Sequence, residues 1–191
     1  MLNKTLARIG YAMIKDMTAE ACTYDEKVTW LESTEAGGRN TTMDPQSEPK
    51  KIYADGIAAV NVDINNGYTG SVELLSICDD VEADWFGYNK EENGNIAEYG
   101  GIVEPRPMAY LVAKEVFNGD KKYQVDIYYN TTASRPQRAD KTSEGANFDP
   151  NFPTYNVEAL PRLHDKLTRY TIYTDTLPES VIEPPEKLNV A

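Results

Sequence analysis

"IAAVNVDINNGYTGSVELLSI", residues 57–77, decides how this chain folds. Ala58, Val60, Val62 and Ile64 alternate with Ala59, Asn61, Asp63 and Asn65, the period-two signature of a strand with one apolar and one polar face. Asn65-Asn66-Gly67 is turn chemistry, because Asn and Gly tolerate the positive φ of tight hairpins. Val72 and Leu74 then return the chain as a second strand with its apolar side inward. The polar side, Asn61, Asp63 and Asn65 with Glu73 beside them, is the candidate for a wall that faces water.

The same signals repeat on either side. "MAYLVAKEVFNGDKKYQVDIYY", residues 108–129, is a second hairpin, with Asn118-Gly119 between an apolar strand and an alternating one. "TLARIGYAMI" and "KVTWL" predict one or two strands before residue 33, and "PTYNVEALPRL" and "LTRYTIYT" two more near the end. Residues 32–51, "ESTEAGGRNTTMDPQSEPKK", are polar and broken by glycine and proline, so they read as a long hairpin loop projecting from the sheet. The three prolines of "DTLPESVIEPPEKLNVA" make residues 176–191 an extended arm outside a domain of residues 1–175. The expected fold is mainly β, sandwich- or barrel-like, with about eight to ten strands, one flanking helix, a long loop and a C-terminal arm.

The helix is expected at about residues 79–89, where Asp79, Asp80, Glu82 and Asp84 crowd together. Asp79 or Asp80 suits the N-cap, and carboxylates in a first turn face the positive end of the helix dipole. Val81, Trp85 and Tyr88 recur on one face, and Gly87 marks the stop. The rival reading is a calcium loop with Asp80, Glu82, Asp84 and Glu91 at its first, third, fifth and twelfth places. Trp85 stands where that loop needs glycine, so the cluster reads as a helix start.

Other chemistry has no constellation behind it. The single histidine, His164, has no nucleophile near it in sequence, and one histidine cannot build the usual multi-histidine zinc site. No phosphate-binding glycine motif is present. Cys22 and Cys78 do not form a disulfide framework and read as small, reduced thiols. No catalytic residue, metal site or cofactor is expected. Nineteen basic residues against thirty-one acidic ones give a formal charge of −12, which argues against nucleic-acid binding, since phosphate contacts need Lys and Arg. No apolar run reaches the ~20 residues of a membrane span, and the first twenty residues lack the pattern of a signal peptide.

The succession "KKIYADG", the hairpin and acidic helix of residues 57–88, "PMAYLVAKEVFNGDKKYQVDIYY" and "ALPRL" resembles the major tail proteins of long-tailed, non-contractile phages over roughly residues 50–163. The resemblance implies a β-sandwich subunit that assembles with copies of itself into stacked, six-fold rings, the tube through which the genome passes. It implies a virion location in the tail, manufacture in the host cytoplasm, and tape-measure, tail-terminator and tail-tip proteins as further partners. It implies no membrane binding. In that setting Asn61, Asp63, Asn65 and Glu73 would line a lumen that DNA slides past without sticking. Arg39, Met43 and Pro45 of the loop and Leu177, Val181, Ile182 and Leu188 of the arm would touch the next ring. The alternative is a β-sandwich carbohydrate-binding or adhesin module, with Tyr128, Tyr155 and Tyr173 stacking on sugars.

Overall fold

Six consecutive residues, Met108–Ala113, anchor the architecture because every one of them is buried. A strand buried on both faces needs two cores, and an uninterrupted apolar run is its sequence signature. In this computed structural model, which describes residues 4–54, 57–101, 106–117, 119–138 and 152–185, both cores are present.

The strands are β1 (Lys4–Met17), β2 (Cys22–Tyr24), β3 (Thr29–Trp30), β4 (Gly38–Ala54), β5 (Ile57–Leu74), β6 (Asn89–Lys90), β7 (Ile96–Ala97), β8 (Met108–Val116), β9 (Tyr123–Ala133), β10 (Thr154–Ala159) and β11 (Arg169–Thr174). The helix α1 (Asp79–Phe86) lies between β5 and β6. One antiparallel sheet runs β2-β1-β8-β9-β10-β5-β4. Two strands switch partners along their length. The end of β9 pairs with β10, while its Tyr123–Tyr128 stretch pairs with β11; β1 likewise pairs with β3 in its middle and β2 at its end. Such switching folds the sheet over itself and makes the mainly β, sandwich-like shape.

The first core lies under α1. Met108, Tyr110 and Val112 of β8 meet Ile9, Tyr11, Val72, Leu74, Tyr155 and the helix residues Val81, Trp85 and Phe86. Trp85 is fully buried between the edges of Tyr11 and Tyr155, with ring centroids 5.7 and 5.4 Å away. Edge-on pairs of this kind add about 0.5–1.5 kcal/mol each beyond area burial. The second core takes the other face of the same strands: Ala109, Leu111 and Ala113 with Val125, Ile127, Tyr129, Ala12 and Val28. Trp30 lies over Gly10 there, where an added Cβ would come within 2.7 Å of the indole.

The helix start departs from expectation. Cys78 stands at the N-cap without a side-chain cap bond, so neither Asp79 nor Asp80 fills that role. Gly87 ends the helix in the left-handed conformation, as expected.

The larger corrections concern the two projecting segments. Most of the expected loop 32–51 is strand, since β4 begins at Gly38 and runs to Ala54 against β5. Asn65-Asn66-Gly67 is no hairpin turn but a bulge within the single long strand β5, where Gln46 faces Gly67 and Ser47 faces Asn65. Gly67 has φ 110° and its N–H donates to the Asn65 side-chain oxygen, 3.0 Å away. A Cβ there would lie 2.0 Å from the Ala159 carbonyl, so only glycine fits. The arm is docked as far as Glu183, with Leu177 and Val181 packed against the second core.

Candidate functional site

Three of the four carboxylates of the helix region have separate partners and do not converge, and the fourth, Asp79, is exposed. Asp80 pairs with Lys90, and Asp84 accepts from the Tyr11 hydroxyl at 2.6 Å. Burial, reinforced by Asp84, pushes the Tyr11 hydroxyl up. Glu82 is 1% exposed and accepts from Tyr155 at 3.1 Å and Arg138 at 2.5 Å. Among the described residues no cluster of His, Cys, Asp and Glu has the makings of a metal site, and no helix is long and apolar enough to cross a membrane.

What the fold offers instead is a ribbon. Only Tyr68–Glu73 of β5 pair with β10; towards the N-terminus from Gly67, the ladder partner of β5 among the described residues is β4 alone. From Ser47 onward, β4 and β5 therefore leave the sheet as two strands, a projection of roughly 25 Å at about 3.3 Å per residue. Every residue from Asp44 to Lys51 is exposed, and so is every residue from Val62 to Asn66. Pro45 and Pro49 suit this outermost strand, which needs no ladder donor on its free side, and they discourage indiscriminate edge pairing.

The bulge decides which residues share a side. Directly opposed residues of an antiparallel pair lie on one face. Thr41/Val72, Met43/Gly70 and Pro45/Tyr68 continue the core-facing side at the ribbon's root, and Ser47/Asn65 and Pro49/Asp63 prolong it. The opposite side runs Thr42/Ser71, Asp44/Thr69 and Gln46/Gly67, then Glu48/Ile64 and Lys50/Val62. The extra residue has therefore turned Val62 and Ile64 away from the side that carries Val72 and Leu74. They are 44% and 38% exposed, not half-buried as their alternation predicts.

The proposed lumen residues are divided by the same turn. Asp63 and Asn65 are exposed on one side of the ribbon. Glu73 lies on the other side near the root, held by Arg39 at 2.8 Å. Asn61 pairs with Lys51 in the ladder, and its side chain lies outside the described residues.

Of the expected ring contacts, Pro45 is exposed on the ribbon. Arg39 is engaged within its own subunit, bonded to Glu73 and stacked 3.5 Å over the Phe152 ring. Met43 packs against the first core.

The arm residues also serve their own subunit. The Val28 amide donates to Glu179 O at 2.8 Å, the Trp30 indole to Pro178 O at 2.9 Å and the Tyr129 hydroxyl to Ile182 O at 2.5 Å. Arg162, 2% exposed, grips Glu183 through two bonds of 2.7 and 2.9 Å. It grips Asp165 as well, and its guanidinium lies 4.5 Å over the Tyr129 ring. Burial alone would weaken the Arg162 charge, but Glu183, Asp165 and Tyr24 outweigh it and hold the proton. Leu188 lies outside the described residues.

The sugar-stacking alternative loses two of its three rings: Tyr128 and Tyr155 are buried, and Tyr173 is exposed. His164 is partly buried and sits 3.6 Å from the Asp165 carboxylate, at one side of an open cleft of about 870 Å³ that also borders Arg162 and Arg169. Sequence reasoning missed Val62 and Ile64 as surface residues. In the sequence Asp55-Gly56 stands between the paired Ala54 and Ile57, a dipeptide of the type that marks a two-residue hairpin connection.

In comparisons with family models, characterised proteins and solved structures, nothing matches this chain.

Proposed function

We propose that this chain is a structural, self-assembling tube subunit of the major tail protein kind, without enzymatic activity. Copies would close into rings, six-fold as the resemblance implies, and the rings would stack into a virion tail tube for DNA ejection. Tape-measure, terminator and tip proteins would complete the tail. The free β4–β5 ribbon carries the reading. Two strands alone are marginally stable in water, and this pair leaves Val62, Ile64 and Tyr53 exposed with no third strand beside it among the described residues. A ribbon that gains its third layer only from a neighbour is an economical way to link copies, and a contact between unlike surfaces repeats into rings and filaments.

Charge supports the same reading. A formal charge of −12 keeps free copies apart in solution and would make a channel wall that repels phosphate. The exposed Asp63 and Asn65 remain the lumen candidates on the ribbon, whereas Glu73 belongs to the opposite side. Electron microscopy of concentrated, negatively stained protein tests the proposal. Rings or tubes of ~10 nm-scale width are the expected result of closed heterologous packing. Uniform monomers at every concentration reached would refute it.

A further inference from the structure

The ribbon has two sides, and they are chemically unlike. One presents Asp63, Asn65, Ser47 and Pro49, polar groups or small surfaces that water solvates well. The other presents Ile64 beside Glu48 and Val62 beside Lys50, an apolar centre with one charge of each sign at its margin. That composition, apolar middle and charged rim, is how protein interfaces are built.

The bulge at Asn65–Gly67 makes this arrangement. Were Asn66 paired one-for-one, Ile64 and Val62 would continue the side of Val72, because a one-residue slip moves every side chain of a strand to the other face. With Asn66 bulged, the apolar pair points away from its own core. The bulge is firmly held, since Gly67 is buried against Ala159 and its N–H is taken by Asn65.

We infer that the Ile64–Val62 side of the ribbon is the surface that docks on a second copy of this chain, and that the Gly67 bulge is the device that turns it outward. Charge favours a second copy as the occupant. From Ser47 onward β4 carries Lys50 and Lys51 against Glu48, so the ribbon's outer strand is net basic in a chain of formal charge −12. A like subunit offers the acidic surface that complements it. The inference rests on the tube-subunit reading and adds to it which side is buried between copies, leaving Asp63 and Asn65 facing water.

The test compares three proteins by sedimentation over a concentration series: the native chain, Val62→Thr/Ile64→Thr, and Pro49→Ser/Asp63→Ser. Threonine keeps strand propensity while placing a hydroxyl where the contact is apolar. The first double variant is expected to raise the concentration needed for assembly by about tenfold or more, the scale of two lost apolar contacts. The second should leave it within about twofold. Inserting one serine between Gln46 and Ser47, opposite Asn66, restores one-for-one pairing and reverses the sides beyond it, and should also abolish assembly while circular dichroism shows the sheet retained. Native assembly that the threonine pair leaves unchanged, or that survives the insertion, overturns the inference and spares the tube reading. Failure of the native chain to assemble overturns both.

Discussion

Two segments that look alike in sequence, residues 32–51 and 176–191, behave in opposite ways. Both are polar and proline-bearing, and both are expected to project. The first projects only from Ser47 onward, as a paired ribbon with exposed sides. The second is strapped across its own sheet by three backbone carbonyls, two half-buried aliphatic side chains and a doubly bonded Arg162–Glu183 pair. The contrast teaches that proline and polarity mark a segment as outside regular core structure without saying what it rests on. The strap completes one subunit. The ribbon leads away from it.

The sharpest way to break this contrast is to remove the strap. Deletion of residues 176–191 takes away Leu177 and Val181, three hydrogen bonds and the Glu183 partner of a buried guanidinium. At about 1 kcal/mol for each bond and each half-buried aliphatic group, the loss is about 4–5 kcal/mol. Differential scanning calorimetry should show the melting temperature falling by roughly 10 °C or more for a domain of this size. A fall of under ~2 °C would return the segment to the status of a loose arm.

Acid should loosen the strap and the β11 edge while leaving the ladder of the sheet intact. Burial raises the Asp126 carboxyl, but bonds from Lys114 and Thr171 overcome it and hold Asp126 below its ordinary value of 3.8. Asp165 behaves alike: burial raises it, and Arg162 with the Leu167 amide brings it lower. A depressed folded-state value means stability that is complete above the ordinary value and lost as pH falls through the folded one. Thermal melts should therefore be flat from pH 6 to 5 and fall steeply below about pH 4. Asp126→Asn should blunt the fall. Identical acid profiles for the variant and the native chain would show that Asp126 carries none of it.

Much of this fold is legible in residues, and the reasons it stops being legible are physical. Met108–Ala113 announces a strand buried on both sides, and Val81, Trp85 and Gly87 place the helix and its end. Lys4–Met17, Thr154–Ala159 and Arg169–Thr174 fall where strand-forming runs predict them. The bulge escaped because Asn65-Asn66-Gly67 suits a turn and a bulge equally; only the partner strand distinguishes them. Recognising Asp55-Gly56 as the connection would have resolved it. The docked strap escaped for another reason. Its polar contacts use the carbonyls of Pro178, Glu179 and Ile182, groups that every residue owns and no sequence pattern marks. Glu82 was read only as a dipole partner because burial of one carboxylate among four neighbours depends on Tyr155 and Arg138, far along the chain.

The smallest effect is the most telling one. Ser47 and Asn65 are paired in the ladder, so residues 48–64 can be excised and the two strands rejoined through an Asn-Gly turn. The cut removes 17 residues, about as many as the strap deletion removes, and takes both Val62 and Ile64. Yet among the described residues none of the removed part belongs to either core, and its described side chains are exposed. Loop closure changes little, and surface substitutions away from special features stay within about 0.5 kcal/mol. The melting temperature of the monomer should therefore move by no more than ~2 °C. Against a strap deletion worth roughly 10 °C, that near-silence would separate a segment kept for its own fold from one kept for a neighbour. A large loss would mean that the ribbon folds back on its own body, and the division of labour drawn from the two segments would fall.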